Sequence, residues 1–299
     1  MSHSIDPKTL AEALKGCPFC LDLKTRKTLV GVVEVVGSNP NGDPDNDGAP
    51  RTNPADGHGE ISCQSIKRVA RDYVANLGVP LFIARGADLG KVVAAYTTGG
   101  KEVDVDQLRL DHWDLRVFGG VIPRSERKTR GAFQITEALS VDPVDLQDIG
   151  CTRVSGYERD AARPRRAEEP VDKIRGANMA SYTVVRYGVY VFSGSYDPVD
   201  AEENGLTETD AFFLYAGLIG GWDGARSAHR VRVNLRRLYV FDHGSQRGIE
   251  PTYLTHERVQ IVSGGHPKRW EDYTITVDEQ HMPKGMTLSR WEDGSLLLS

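Results

Sequence analysis

The sequence predicts an α+β fold, a split βαβ or RRM-like sheet carrying insertions. A strand-loop-helix-strand order at the front returns as strand-helix-strand after residue 180. A chain of 299 residues with 39% hydrophobic content can bury one large core or two small ones. With no internal repeat or low-complexity tract, it reads as a single elaborated domain. Residues 1–27 read as an N-terminal extension, with a short helix around Pro7 to Leu14 and a turn at Cys17-Pro18-Phe19-Cys20. Residues 28–299 form the domain proper.

The β-branched run Thr28 to Val36 is the first strand, and the turn-rich stretch from Gly37 to Gly48 is a long loop. A helix from Ile61 to Leu77 follows. At helical spacing Ile66, Val69, Ala70, Tyr73, Val74 and Leu77 make one face, while Gln64, Lys67, Arg68 and Arg71 make the other. The apolar stripe is expected to pack on the sheet and the three cations to face solvent. Ser62 stands at the N-cap, so the unpaired N–H groups of the first turn lie near those cations and suit an anion. An ordinary amphipathic surface helix is the alternative.

After a variable region from 80 to 113, strands are expected near 114–120 and 131–139, bracketing a basic finger at Arg124 to Arg130. Residues 150–178 lack periodicity and are rich in charge, Gly and Pro, as an excursion ordered by a partner would be. Strand signal resumes at Tyr182 to Ser195. An apolar helix follows at Thr207 to Trp222, then strands near Arg236 to Phe241 and Tyr273 to Val277.

Several of these segments resemble one known family. The first strand leads into Asn39-Pro40-Asn41-Gly42-Asp43-Pro44-Asp45, then Pro50-Arg51, then the basic helix with Ser62, Gln64, Ser65, Lys67 and Arg68. Asp114-Leu115-Arg116-Val117-Phe118-Gly119, Arg130-Gly131-Ala132-Phe133-Gln134, Tyr187-Gly188-Val189-Tyr190, Asp223-Gly224-Ala225-Arg226-Ser227-Ala228 and Leu238 to His243 continue the likeness in order. The chain resembles the Cas-seven backbone subunits of CRISPR type I Cascade complexes, in the RAMP superfamily, nearest the I-C and I-B branches. The likeness runs from about residue 28 to 280. It implies a modified RRM (ferredoxin-like) palm with a thumb, here within about 150–178. It further implies a non-catalytic subunit that binds guide RNA (crRNA) and polymerises head to tail along the spacer. The guide would be presented to target DNA alongside other Cascade subunits.

The resemblance carries RNA contacts onto Gln64, Lys67 and Arg71, with Arg68 helping and Ser62 at the cap. Basic runs add Arg124, Arg127, Lys128 and Arg130, next to Phe118 and Gly119, and also Arg226 and Arg230. Tyr157, Arg165, Arg166, Ile174 and Met179 are thumb candidates. A subunit that holds any spacer should contact phosphate and ribose, touching bases only by apolar wedging or stacking. The net charge of −5, from 37 basic and 42 acidic residues, argues for a cationic groove rather than a cationic molecule.

Other chemistries are weaker. Asp43, Asp45, Asp47 and Gly48 copy half of an EF-hand loop, but position 54, where the bidentate Glu belongs, is Pro. The same acids offer the alternative of a type III-like RNA endonuclease using a loop Asp. Cys17 and Cys20 are half of a zinc or redox site, without a second half in Cys63 and Cys151. No cofactor or metal is expected. No apolar run would span a bilayer and no import signal is evident, so the cytoplasm is the expected compartment.

Overall fold

A computed structural model describes residues 7–17, 19, 22–99, 102–125, 127–152, 179–292 and 294. Helix α1 (Pro7–Gly16) comes first. The turn after it places Phe19 in the core, 2% exposed and stacked on Tyr215 at 4.7 Å. Half-buried Cys17 packs beside this core, and burial pushes its thiol pKa up, away from reactive thiolate chemistry. Cys20 lies outside the described residues.

Strand β1 (Lys27–Ser38) is buried on both faces, which is why it reads as an almost unbroken apolar run. Leu29, Val33 and Val35 enter the large core, and Val30 and Val32 enter a second one on the opposite side. β2 (His58–Ile61) and α2 (Cys63–Asn76) follow. The variable region folds as α3 (Leu89–Ala95), β3 (Thr97–Thr98), β4 (Glu102–Val103), α4 (Val105–Asp111) and α5 (Trp113–Val117). Phe82, Val93, Leu108, Leu115 and Ile122 give it a small core of its own.

The strand expected at 114–120 is mostly helix α5, with only β5 (Gly119–Val121) extended. Trp113, Leu115 and Val117 alternate with Asp114 and Arg116, a strand-like period, because the two charged residues of this short helix are taken inward by ion pairs with Arg71 and Asp210. β6 (Lys128–Arg130) pairs with β5 as the expected finger. The strand expected at 131–139 is divided into β7 (Phe133–Ile135) and β8 (Ala138–Pro143). Between them Thr136 binds Ser193 through both backbone N–H and side chain, which interrupts the ladder.

β9 (Leu146–Thr152) pairs with the start of the long β10 (Met179–Tyr196). The thumb expected within 150–178 therefore lies outside the described residues but for its first three. Tyr157, Arg165, Arg166 and Ile174 are outside with it, while Met179 opens β10. Then come α6 (Pro198–Asn204), α7 (Glu208–Gly224) and β11 (Val233–Asp242). α8 (Thr252–Glu257), β12 (Val259–Ser263), β13 (Tyr273–Val277) and β14 (Thr287–Glu292) complete the chain.

The central sheet runs β14-β11-β1-β10-β8-β2, antiparallel throughout, with β7 and β9 also on β10. The β11-β1-β10-β8 portion, with α2 after β1 and α7 after β10, is the ferredoxin-like double split βαβ. α2 and α7 cover one face, and the β12-β13 hairpin covers the other. Among the described residues no helix is long and apolar enough to cross a membrane.

The two helices approach closely because α7 turns glycines toward α2. A Cβ on Gly221 would lie 2.6 Å from the Val69 carbonyl oxygen, and one on Gly217 would lie 3.0 Å from Ala70 Cα. Gly221→Ala should therefore destabilise the fold by about 1–3 kcal/mol through overpacking, despite the higher helix propensity of Ala. Urea denaturation measures it, and a stabilised variant would mean that the contact is looser.

Candidate nucleic-acid interface

Three segments converge on the first turn of α2. Ser62 caps it, its Oγ accepting from Ser65 N–H at 3.3 Å. Asn41 Oδ1 accepts from both the N–H and the Oγ of Ser62, at 2.9 and 2.7 Å, which ties the 39–51 loop to the cap. The third segment is 227–232, where Asn39 N–H donates to the His229 carbonyl and Ser38 Oγ accepts from the N–H groups of Val231 and Arg232.

Arg230 comes from that third segment. Its guanidinium carbon stands 5.6 Å from the Trp222 ring centroid, and its Nη1 reaches Ser65 Oγ at 3.4 Å. Nε and Nη2 are buried with no hydrogen-bond partner among the described residues, and burial pulls its pKa down to about 10. A buried donor without an acceptor is costly. A cation in that condition, beside a helix N-terminus, is suited to receive an anion.

One turn along α2, Lys67 has no hydrogen bond or acidic partner among the described residues. Its ammonium sits 5.5 Å over the ring of Phe118, and burial lowers its pKa. Gln64 is exposed beside it.

The other cations of α2 are not on a solvent face, contrary to the sequence expectation. Arg71 is 4% exposed and Lys67 8%. Arg71 Nε donates to Asp114 Oδ2 at 2.9 Å, and Asp114, with no exposed surface, also accepts from the N–H groups of Phe82 and Ile83 at 2.7 and 3.1 Å. Arg68 donates to the Ile83 carbonyl at 2.9 Å and pairs with Asp72. The inserted 79–118 region covers this side of the helix, so Arg68 and Arg71 hold the insertion. Periodicity in α2 alone carries no sign of that cover.

Phe118 caps α5, lies under Lys67 and Arg71, and meets Trp113 edge-on at 5.5 Å. Gly119, at φ +70, has no room for a side chain, since a Cβ would stand 2.3 Å from the Thr129 carbonyl oxygen. Its place in the structure is the closed base of the finger. In that finger Arg127 pairs with Asp106 and Arg130 with Asp200. Arg124 and Lys128 are exposed without an acidic partner among the described residues. Arg226 is paired with Asp223.

Asp43 pairs with Arg51 at 3.2 Å and accepts from the Asp45 N–H, so the acidic loop is held by its own turn. Among the described residues no three acids, histidines or cysteines gather as a metal site. Sequence reasoning missed Asp114, Asn41 and Trp222. Only the Asp-x-Arg-x-Phe-Gly motif, with Asp114 as its first residue, could have pointed to the first of these.

A family model, CRISPR-associated protein Cas7, matches residues 25–278. One similar solved chain belongs to a "CRISPR RNA-guided surveillance complex, pre-nicking", with 15% identity and a TM-score of 0.47, covering 73% of this chain and 78% of that one. Another, from a "CRISPR RNA-guided surveillance complex", has 16% identity and a TM-score of 0.42, covering 73% and 69%. No curated protein matches the chain.

Removing the acid of the Arg71 clamp leaves a buried guanidinium unpaired. Asp114→Ala should cost about 3–5 kcal/mol of stability in guanidinium denaturation. A loss below 1 kcal/mol would mean that the pair is hydrated and that the insertion is held by other contacts.

Proposed function

Because the chain belongs to the family of CRISPR-associated protein Cas7, we propose that it binds a CRISPR guide RNA along the first turn of α2. It does so as a non-catalytic backbone subunit. The observation that carries this reading is the Arg230 guanidinium, with two buried N–H groups unpartnered beside the capped N-terminus of α2. Lys67 adds a second cation without an acid among the described residues, backed by the Phe118 ring.

Such a site holds phosphate and says nothing about base identity, as a subunit serving any spacer requires. Arg124 and Lys128 at the finger are the next cations available to the same strand. Arg68, Arg71, Arg127, Arg130 and Arg226 already have protein partners and support the interface indirectly.

In this reading residues 1–27 are an extension ahead of the palm and the thumb lies within 150–178. Copies associate head to tail along the guide, and other Cascade subunits end the array, since heterologous contacts of this kind do not close on themselves. The guide is then free to pair with target DNA. Of the loop acids that a cleavage reading would use, Asp43 is engaged by Arg51, while Asp45 and Asp47 are exposed.

The test is RNA binding by Lys67→Gln/Arg230→Gln against a repeat-spacer RNA across a salt series. Neither side chain has an acid to orphan, so the melting temperature should stay near that of the parent chain. Affinity should fall, and the slope of log K against log salt should shrink by about 1.4, two contacts at roughly 0.7 each for a single strand. Light scattering of the co-expressed wild type should give an RNA-rich particle that lengthens with the spacer. A folded double variant with unchanged slope removes α2 as the binding site.

A further inference from the structure

The two ends of β1 carry opposite charge. The strand runs from Lys27 to Ser38, so at about 3.3 Å per residue the segments flanking it stand roughly 36 Å apart. Just before it, Arg26 and Arg247 line a pocket of about 380 Å³ together with Ile249 and Glu250. Arg26 Nε is buried with no hydrogen-bond partner, and neither arginine has an acidic partner among the described residues. Glu250, the one acid of this lining, is already taken. Arg258 donates to both of its oxygens, and Thr255 Oγ1 donates to Oε1 at 2.9 Å. Ile249 is exposed at the rim, and Tyr253 and Leu254 are exposed on α8 just beyond it.

At the other end of the strand the 39–51 loop is held by its own turn. The Asp43 carbonyl accepts from the N–H groups of Asn46 and Gly48 at 3.1 and 2.8 Å, and the Asp43 carboxylate pairs with Arg51. Asp45 and Asp47 project from this turn, exposed and without an ion pair among the described residues.

Two uncommitted guanidinium groups, one with a donor already out of water, call for an oxyanion. A nucleic-acid strand would lay its further phosphates over Ile249, Tyr253, Leu254 and the exposed Glu257, none of which can receive them. Arginine and tyrosine among exposed apolar side chains are instead the composition of a protein interface. The matching acids are on the chain itself. We infer that the pocket of Arg26 and Arg247 takes the 43–48 loop of a second copy, with Asp45 and Asp47 pairing with the two guanidinium groups. Because the surfaces lie at opposite ends of one strand, each copy has both to offer. The contact is therefore heterologous and extends into an array. It rests on the backbone reading above and names the contact that joins successive copies. The turn of the loop, and the Arg26 N–H bonded to the Ser245 carbonyl at 2.9 Å, hold both sides in place beforehand, which lowers the ordering cost of association.

The experiment is sedimentation velocity of the full chain over a concentration series, alone and on a repeat-spacer RNA, with that RNA also shortened to the least length that binds one copy. Arg26→Glu/Arg247→Glu repels the acidic loop. Asp45→Arg/Asp47→Asn repels the basic pocket, its second change suiting the left-handed backbone of residue 47, at φ 49. Each variant alone should weaken association between copies about tenfold or more. Mixed in equal amounts they should recover it, since each then meets the charge that it lacks. Arg26→Gln/Arg247→Gln, which brings no charge of its own, should also weaken association, and it serves if circular dichroism shows the reversed pair unfolded. Binding of the shortest RNA by Arg26→Glu/Arg247→Glu should be unchanged, which separates loss of the contact from loss of the RNA site. If the wild type binds no RNA, the guide-RNA reading fails, and association of the free chain still decides the contact. Variants that associate as the wild type does, a loss that mixing does not restore, or a wild type that stays single with and without RNA would each overturn the proposal.

Discussion

A carboxylate with no exposed surface, Asp114, sets the arrangement of this molecule's basic helix. Burying a charge is tolerable only when it is paired and hydrogen-bonded. Here Arg71 and the N–H groups of Phe82 and Ile83 meet that demand together. One residue thereby joins α2, the 79–85 segment and α5. Four residues on, the same short helix ends in Phe118, which brings an aromatic face under Lys67. Holding α5 also docks Arg116 on Asp210, the capping-box acid of α7, so the insertion is braced against both helices of the palm. The cations of α2 are thus divided by one buried acid. Arg71 is consumed by it, Arg68 fastens the same segment, and Lys67 is left over a ring with no acid among the described residues.

β1 is covered on one face by α2 and α7 and on the other by the β12-β13 hairpin, so neither face of the palm centre is open to water. Polar groups on the second face must then satisfy one another. Most do: Glu34 takes both Tyr187 and Arg236, and Arg236 and Arg237 lie against Trp270 at 4.4 and 5.2 Å. Asp142 accepts from Ser263 Oγ at 2.7 Å and stands beside the Tyr273 hydroxyl.

Much of the palm was legible in the sequence because its signals are local. The β-branched run of β1, the Ser62 cap, the apolar stripe of α2 and the uniformly apolar α7 each follow from a few neighbouring residues. α5 was misread as a strand because a helix buried all round shows no face, and Trp113, Leu115 and Val117 alternate as a strand would. β14 is mostly half-exposed or exposed and carries no clear apolar alternation, while β12 has the same burial pattern as its hairpin partner β13 and is a strand that the sequence analysis does not anticipate. The interface was legible as a region and not as a set of contacts. Arg68 and Arg71 share a face with Lys67 on a helical wheel, and only their partners tell them apart: Asp114, 43 residues away, for Arg71, and Asp72 and the Ile83 carbonyl for Arg68.

The same argument resolves the conflict between an acidic chain and an anionic ligand. A run of basic residues in sequence overcounts the charge available, because the fold spends part of it internally. Arg127 faces Asp106, Arg130 faces Asp200 and Arg226 faces Asp223. Among the described residues, the remainder without acids includes Arg230, Lys67, Arg124 and Lys128. Solvent-exposed ion pairs contribute little field beyond a Debye length of about 8–10 Å. An uncommitted cation in a poorly hydrated site acts at short range with far less screening. Recognition of a strand therefore depends on where the unpaired cations stand, and a net charge of −5 does not oppose it. Arg230 is the strongest of the four on that measure, because its donors are already out of water before any ligand arrives.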